Sequence, residues 1–223
     1  MKKLKVLVIA PHPDDETIGC GGSLLKHRDS KDEISCVTVT KLKPTNKKEK
    51  KLLKVKEKEI INVKKLYKFK YFINLNFQPT KLDSVPKKEL VSSLTKLFAK
   101  IKPEILYIPF FNDVHSDHQI VSKSVLSSSK WFRSSSIKQI NMYETLSETN
   151  FNFSEEEEFK PNFFIDITKY YEKKIKILKC YKTEFKKHPF PRSEDAVESL
   201  AKLRGSQSGY KKAESFKIVY KKN

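Results

Sequence analysis

Cysteine, glycine, tryptophan and arginine are all scarce in this chain of 223 residues, and each scarcity narrows what the protein can be. The three cysteines, Cys20, Cys36 and Cys180, form no Cys-x-x-Cys pair and no even-numbered set. That excludes a disulfide framework and points to free thiols in a reducing compartment. No apolar run approaches the length of a membrane span, and the run after Met1-Lys2-Lys3-Leu4-Lys5 stops at Pro11, too short for a signal peptide. The expectation is a cytoplasmic protein without a transmembrane segment. Arginine occurs only at Arg28, Arg133, Arg192 and Arg204, so the formal net charge of +19 is almost all lysine. Nucleic-acid recognition favours forked guanidinium groups and aromatic base-reading surfaces, which the sequence does not display. A basic nucleic-acid-binding module is therefore the weaker alternative, one that a zinc-independent, salt-sensitive gel shift would favour. The stronger reading is a solvated lysine coat whose field attracts anionic substrates or an anionic membrane surface.

Hydrophobic residues make up 38% of the chain, with 15 Phe and 9 Tyr, enough for one well-buried α/β domain over residues 1–223. Residues 4–10 are almost continuously apolar, as in a strand covered on both faces. A loop over 11–16 leads to a helix at about 17–27, where Gly19, Gly21 and Gly22 permit close packing on a sheet. A β-branched strand over 34–40 follows, then a charged helix over 47–68 with the apolar stripe Leu53, Ile60, Val63 and Tyr67. A strand over 71–75, a helix over 90–101 stopped by Pro103, and an apolar strand over 105–109 continue the alternation. Further on, the pattern predicts a helix from 116 or 117, strands over 137–145 and 162–167, and a helix over 168–181 capped by Thr168. A helix over 193–203, a loop at Gly205–Gly209 and a strand over 216–220 end the chain, while Glu155–Glu158 reads as an exposed acidic turn. Strands alternating with helices predict a Rossmann-like, doubly wound and mostly parallel sheet with helices on both faces.

Chemistry concentrates after the first and fourth strands. His12, Asp14, Asp15 and Glu16 crowd one loop, and His115, Asp117 and His118 crowd the other. In a doubly wound sheet those loops are neighbours at the switch point, although about a hundred residues separate them. Two imidazoles and a carboxylate with one open position suit a catalytic Zn²⁺. Singly, each residue has a plainer explanation. His12 lies between prolines, Asp14 and Asp15 can serve a helix N-terminus, and His118 can be a satisfied histidine on a helix face. Both fragments at one switch point favour a metal site. Lys56 has two readings of equal weight, an i,i+3 ion pair with Glu59 beside the buried stripe or a side chain reaching the mouth of the site.

His12-Pro13-Asp14-Asp15-Glu16 together with Asp113-Val114-His115-Ser116-Asp117-His118 closely resembles the PIG-L/LmbE-like family of zinc-dependent N-deacetylases. The resemblance extends through Gly19-Cys20-Gly21-Gly22, Tyr143-Glu144-Thr145, Cys180-Tyr181-Lys182, Pro191-Arg192-Ser193 and the segment from Arg204 to Phe216. Its later motifs look most like bacterial members associated with surface-polysaccharide synthesis. The resemblance implies that His12, Asp15 and His118 ligate zinc and that Asp14 is the general base. It further implies that His115 stabilises an oxyanion, as a charged imidazole, or protonates the leaving amine, with Asp117 orienting it. Glu16 is expected to support the loop. The implied substrate is an acetamido sugar of the N-acetylglucosamine type, free or as a nucleotide-, lipid- or small-molecule conjugate, and a homo-oligomer is compatible with the sequence. The nearest enzymatic alternative is a zinc amidase acting on a different amide bond of a sugar conjugate. Two positions depart from the family pattern. Lys56 stands where many members carry arginine, and Phe77-Gln78-Pro79-Thr80 replaces a loop that often contains aspartate. Lys56 and Arg192 are the candidate substrate contacts, and for Arg192 a structural role in its Pro-rich loop carries equal weight.

Overall fold

The computed structural model describes residues 3–153 and 158–223. Glu155, Glu156 and Glu157 of the expected acidic turn lie outside the described residues. In chain order the elements are β1 (Lys5–Ala10), α1 (Asp15–Asp29), β2 (Glu33–Thr40), α2 (Lys47–Tyr67), β3 (Phe72–Phe77), α3 (Lys87–Ile101) and β4 (Ile105–Pro109). They continue with α4 (Ser116–Ser128), β5 (Gln139–Tyr143), β6 (Phe163–Asp166), α5 (Tyr171–Leu178), α6 (Glu194–Ser208) and β7 (Ala213–Lys221).

The seven strands of the described residues join one sheet in the order β3-β2-β1-β4-β5-β7-β6. β1 lies between β2 and β4 and is parallel to both, with Val6 opposite Ile34 on one side and Ile105 on the other. Alternation along β1 divides the core. Leu7 and Ile9 pack with Leu94 and Phe98 of α3 and Val121 and Val125 of α4, whereas Val6 and Val8 pack with Leu24 and Leu25 of α1 and Val63 and Tyr67 of α2. Helices thus cover both faces, which is why β1 reads as a continuous apolar run. Cys20 and Cys36 are free and buried in the second of these cores, where they act as small apolar side chains.

Several boundaries differ from the pattern-based expectation. β7 runs antiparallel to both β5 and β6, a direction that apolar periodicity cannot report. α6 continues through Gly205 to Ser208 and stops at Gly209, whose left-handed φ of 78° ends the helix as glycine does at such positions. Thr168 does not cap α5. Its hydroxyl donates to Asp166 Oδ1 at 2.6 Å, and the helix begins three residues later. In α2 the expected apolar stripe divides: Val63 and Tyr67 are buried in the core, while Leu53 and Ile60 are only partly buried and face a cavity.

Candidate active site

Because β1 and β4 are adjacent and parallel, their C-terminal loops meet beyond the sheet. The first loop is pinned when Thr40 donates through N and Oγ1 to the Pro11 carbonyl, at 3.0 and 2.8 Å. Asp14 adopts φ 123° and ψ −30°, a conformation costly for any residue with a Cβ. Glu16 holds it there. Its Oε2 accepts from the Asp14 N–H at 3.1 Å, and its Oε1 accepts from the hydroxyls of Thr17 and Tyr181, at 2.5 and 2.7 Å. Glu16 is fully buried and committed to this clamp.

His12, Asp15 and His118 can each present a ligand atom so that the three lie within 4.8 Å of one another. Asp15 Oδ2 lies 3.4 Å from His12 Nδ1 and 3.3 Å from His118 Nε2. The other nitrogen of His118 contacts Asp113 Oδ2 at 2.8 Å, and Asp113 Oδ1 accepts from the Thr149 hydroxyl at 2.6 Å. That arrangement fixes the ring and leaves His118 Nε2 buried without a hydrogen-bond partner, directed toward Asp15. An orphaned imidazole nitrogen beside a carboxylate and a second imidazole is a donor set that fits zinc, and a carboxylate behind the ligand is the usual support for a metal-bound histidine.

Electrostatics reinforce the grouping. Burial would lower the His118 pKa, but the charges of Asp15 and Asp113 outweigh it and push the group up to about 10. Burial likewise opposes charging of His12, yet its contacts with Asp117 and Asp15 raise it to about 9. Asp15, despite burial, is held well below the usual carboxylate range by the two histidines. Excess acid around two cationic imidazoles describes a site tuned to hold positive charge.

Asp117 and His115 meet in an unexpected way. The Asp117 carboxylate contacts His12 Nε2 at 2.9 Å and accepts from the backbone N–H groups of Thr80 and Leu82, at 2.8 and 3.3 Å. It therefore fastens the Gln78–Thr80 loop to the site. What orients His115 is the Asp117 backbone N–H, which donates to Nδ1 at 3.1 Å as His115 caps α4. With Nδ1 accepting, the ring proton resides on Nε2. Burial and the positive charges of His12 and His118 depress the His115 pKa to about 4, which works against the expected charged imidazole. His12, His115 and Asp117 also cluster closely enough to hold a metal, but the Asp117 carboxylate is already engaged by the loop.

Lys56 pairs with Glu184 at 2.5 Å and makes no ion pair with Glu59; both Lys56 and Glu184 line the cavity. Glu59 accepts from Thr183 N and Oγ1, at 3.1 and 3.0 Å. Arg192 extends the chain of charges, reaching Asp14 Oδ2 at 3.0 Å and Glu184 Oε2 at 3.4 Å, with its Nε buried and unpaired. Burial and the neighbouring Asp15 raise the Asp14 pKa well above the usual range, and Arg192 opposes that rise. Against the effect of burial, Lys56 and Arg192 hold Glu184 below its ordinary value.

Sequence reasoning did not single out Asp113, Glu184 or Glu148. Asp113 carried a usable signal, lying five residues before His118 on the loop that turns into α4. Glu184 and Glu148 carried none, since both belong to irregular segments that tertiary packing brings to the cavity. The cavity holds about 550 Å³ and includes His12, Asp14, Asp15 and His115 at one end.

Comparisons with known proteins bear on the family and the fold. The family model described as GlcNAc-PI de-N-acetylase, PIG-L, matches residues 7–129, a span that includes both site loops. A diacetylchitobiose deacetylase of Thermococcus kodakarensis (strain ATCC BAA-918 / JCM 12380 / KOD1) is 26% identical over 234 residues, covering 96% of this chain and 83% of the relative. The solved structure of N,N'-diacetylchitobiose deacetylase from Pyrococcus horikoshii superposes with a TM-score of 0.76 at 24% identity, covering 97% of this chain and 84% of that one. The same fold also carries different chemistry: GalB, the 4-carboxy-2-hydroxymuconate hydratase of Pseudomonas putida KT2440, superposes with a TM-score of 0.73 at 14% identity over 100% and 98% of the two chains. With the family match extending over more than half of its length and through both loops of the site, this chain belongs to the PIG-L (GlcNAc-PI de-N-acetylase) family.

Proposed function

We propose that this protein is a zinc-dependent N-deacetylase that hydrolyses the acetamide of an N-acetylglucosamine-type sugar or its conjugate. One observation carries the reading: ligand atoms of His12, Asp15 and the buried His118 converge within 4.8 Å of one another, and His12 and Asp15 line the same cavity as Asp14 and His115. His12, Asp15 and His118 would hold the metal. Zinc bound there supplies Lewis-acid chemistry at the amide carbonyl and lowers the pKa of the attacking water toward neutrality.

The remaining work falls to the chain's own groups. The Asp14 carboxylate takes a proton from water as the oxygen–carbon bond forms, and that proton goes to the nitrogen as the amide C–N bond breaks, leaving an amine and acetic acid, which ionises to acetate. A raised pKa suits a group that must both take and give a proton near neutral pH. His115, neutral and carrying its proton on Nε2, donates a hydrogen bond to the oxyanion that develops on the carbonyl oxygen. Arg192 holds one Asp14 oxygen, and Glu184 holds both Arg192 and Lys56, so the strained base stays in place while two cations face the sugar and its substituents. A nucleotide or lipid phosphate on that sugar would meet a lysine-rich surface.

Metal analysis of the purified protein should find about one zinc per chain. His118→Ala should lose most of it, whereas Asp14→Asn should keep the metal and release acetate from N-acetylglucosamine conjugates at least about a hundredfold more slowly. Wild-type turnover by Asp14→Asn would remove Asp14 from the base role.

A further inference from the structure

We infer that the end of the sheet remote from the cavity is a docking site for an anionic lipid surface, with Trp131 and Phe132 entering the interface and a basic rim meeting the headgroups. Such docking is independent of the reaction in the cavity. Trp131 is the single tryptophan of the chain, and it is 71% exposed. Phe132 beside it is 63% exposed, and the two rings meet edge to face at 5.8 Å. Isolated apolar side chains on a surface need no explanation, but two adjacent large aromatics held outward do. The turn that presents them is fixed. Arg133 N and Ser134 N both donate to the Lys130 carbonyl, at 2.8 and 3.0 Å, and the buried Ser134 hydroxyl donates to the Ser128 carbonyl at 3.0 Å.

Position and charge select the partner. α4 starts beside the site loop at Ser116 and runs back along the sheet for 13 residues, roughly 20 Å at 1.5 Å per residue. Beyond it, Lys138 N and Gln139 N donate to the Glu104 carbonyl just ahead of β4, which puts the aromatic turn at the edge of the sheet where β4 and β5 begin. Between Asp117 and Glu144 the chain has Lys123, Lys130, Arg133 and Lys138 and no acidic residue. Lys221 lies in register with Gln139, and Lys222 Nζ donates to the Ser135 carbonyl at 3.0 Å, so the end of β7 adds to the same rim. Glu33 and Glu104 at this edge are already engaged, by Lys70 and Lys138. A protein partner would need a pocket shaped to the protruding rings. A bilayer interface instead yields to any convex aromatic and favours tryptophan, whose N–H stays at the headgroup level. Each lysine or arginine near an anionic lipid surface strengthens binding about fivefold. Docked this way, the catalytic loops face away from the lipid.

The test uses the full chain with vesicles of phosphatidylcholine, or of equal parts phosphatidylcholine and phosphatidylglycerol. Because the chain has one tryptophan, its fluorescence reports insertion of Trp131 directly. Emission should shift to the blue on the mixed vesicles, and cosedimentation should show binding that falls as salt rises. Trp131→Ala and Phe132→Ala should each weaken that binding about tenfold, and Arg133→Gln about fivefold. Acetate release from an N-acetylglucosamine conjugate in free solution should be unchanged by all three. The three side chains are exposed, and if one variant fails to fold by circular dichroism the other two carry the test. Absence of binding to the mixed vesicles would overturn the docking site, as would binding that leaves the Trp131 emission unshifted or survives both Trp131→Ala and Phe132→Ala. So would an emission shift produced by duplex DNA and not by vesicles, or by self-association of the chain that Trp131→Ala abolishes in sedimentation.

Discussion

Zinc uptake by this site must displace protons, and the number is set by the two histidines. In the metal-free protein the surrounding carboxylates push His12 up to about 9 and His118 up to about 10, which favours imidazolium for both at pH 7. A metal requires each as neutral imidazole. Asp15 is held far below the usual range and is ionised throughout, so it contributes no proton. Loading one zinc at pH 7 should therefore release about two protons from the histidines, with ionisation of the bound water adding to that count as the pH passes neutrality, and the apparent affinity should rise at least about a hundredfold per pH unit up to about pH 9 and less steeply above about pH 10. The same shifts bear on folding. Both groups lie above their ordinary value of 6.5, so the ion pairs they make stabilise the metal-free fold fully below about pH 6.5, and that contribution is lost as the pH rises through about 9 and 10. The Tm difference between zinc-loaded and metal-free protein should accordingly widen from pH 7 to pH 10. Calorimetric titration with zinc in two buffers of different ionisation enthalpy counts the protons directly. A count near zero at pH 7, or an affinity independent of pH, would refute the assignment of His12 and His118 as a coupled, charged pair awaiting the metal.

Three further outcomes follow from particular contacts. Asp113→Ala removes the carboxylate that fixes the His118 ring and should weaken zinc binding about 10- to 100-fold, read by competition with a chelator. Glu214→Ala strips Lys174 of its buried partner and also unpairs the N–H groups of Gly22 and Ser23, at a cost of about 3–5 kcal/mol. Thermal unfolding should show this as a Tm drop of roughly 6–20 °C, and a drop within error would mean that the pair adds nothing to stability. Gly19→Ala places a Cβ 2.2 Å from the Tyr143 ring, whose hydroxyl donates to the Ile9 carbonyl at the end of β1. Overpacking there should cost about 1–3 kcal/mol in urea unfolding, with an unchanged midpoint showing that the ring yields freely.

Residues whose role is local were legible in the sequence. β1 and β4 announce themselves as apolar runs because both faces of a central parallel strand are buried, and their adjacency follows from the topology of such sheets. His12, Asp14, Asp15, His115 and His118 could be grouped on that basis, since each follows the end of β1 or β4 by no more than nine residues. Asp117 was legible as a member of the site but not in its task. Its carboxylate serves His12 and the Thr80 loop, while its backbone N–H serves His115.

Features that depend on which distant segments meet were decided only in three dimensions. Glu184 gathers Lys56 and Arg192 from positions 128 residues upstream and eight residues downstream, and no periodicity carries such a pairing. The reversal of β7 follows the same logic, because strand direction is a property of the connection and not of the residues in the strand. α2 shows the division within one helix. Its amphipathic pattern determined that one face would be covered, whereas the core, which buries Val63 and Tyr67 and has Ile60 and Leu66 packed at its edge, decided that Leu53 and the outer side of Ile60 would line a cavity. An apolar stripe encodes the free energy of leaving water; what it leaves water for is settled by what packs beside it.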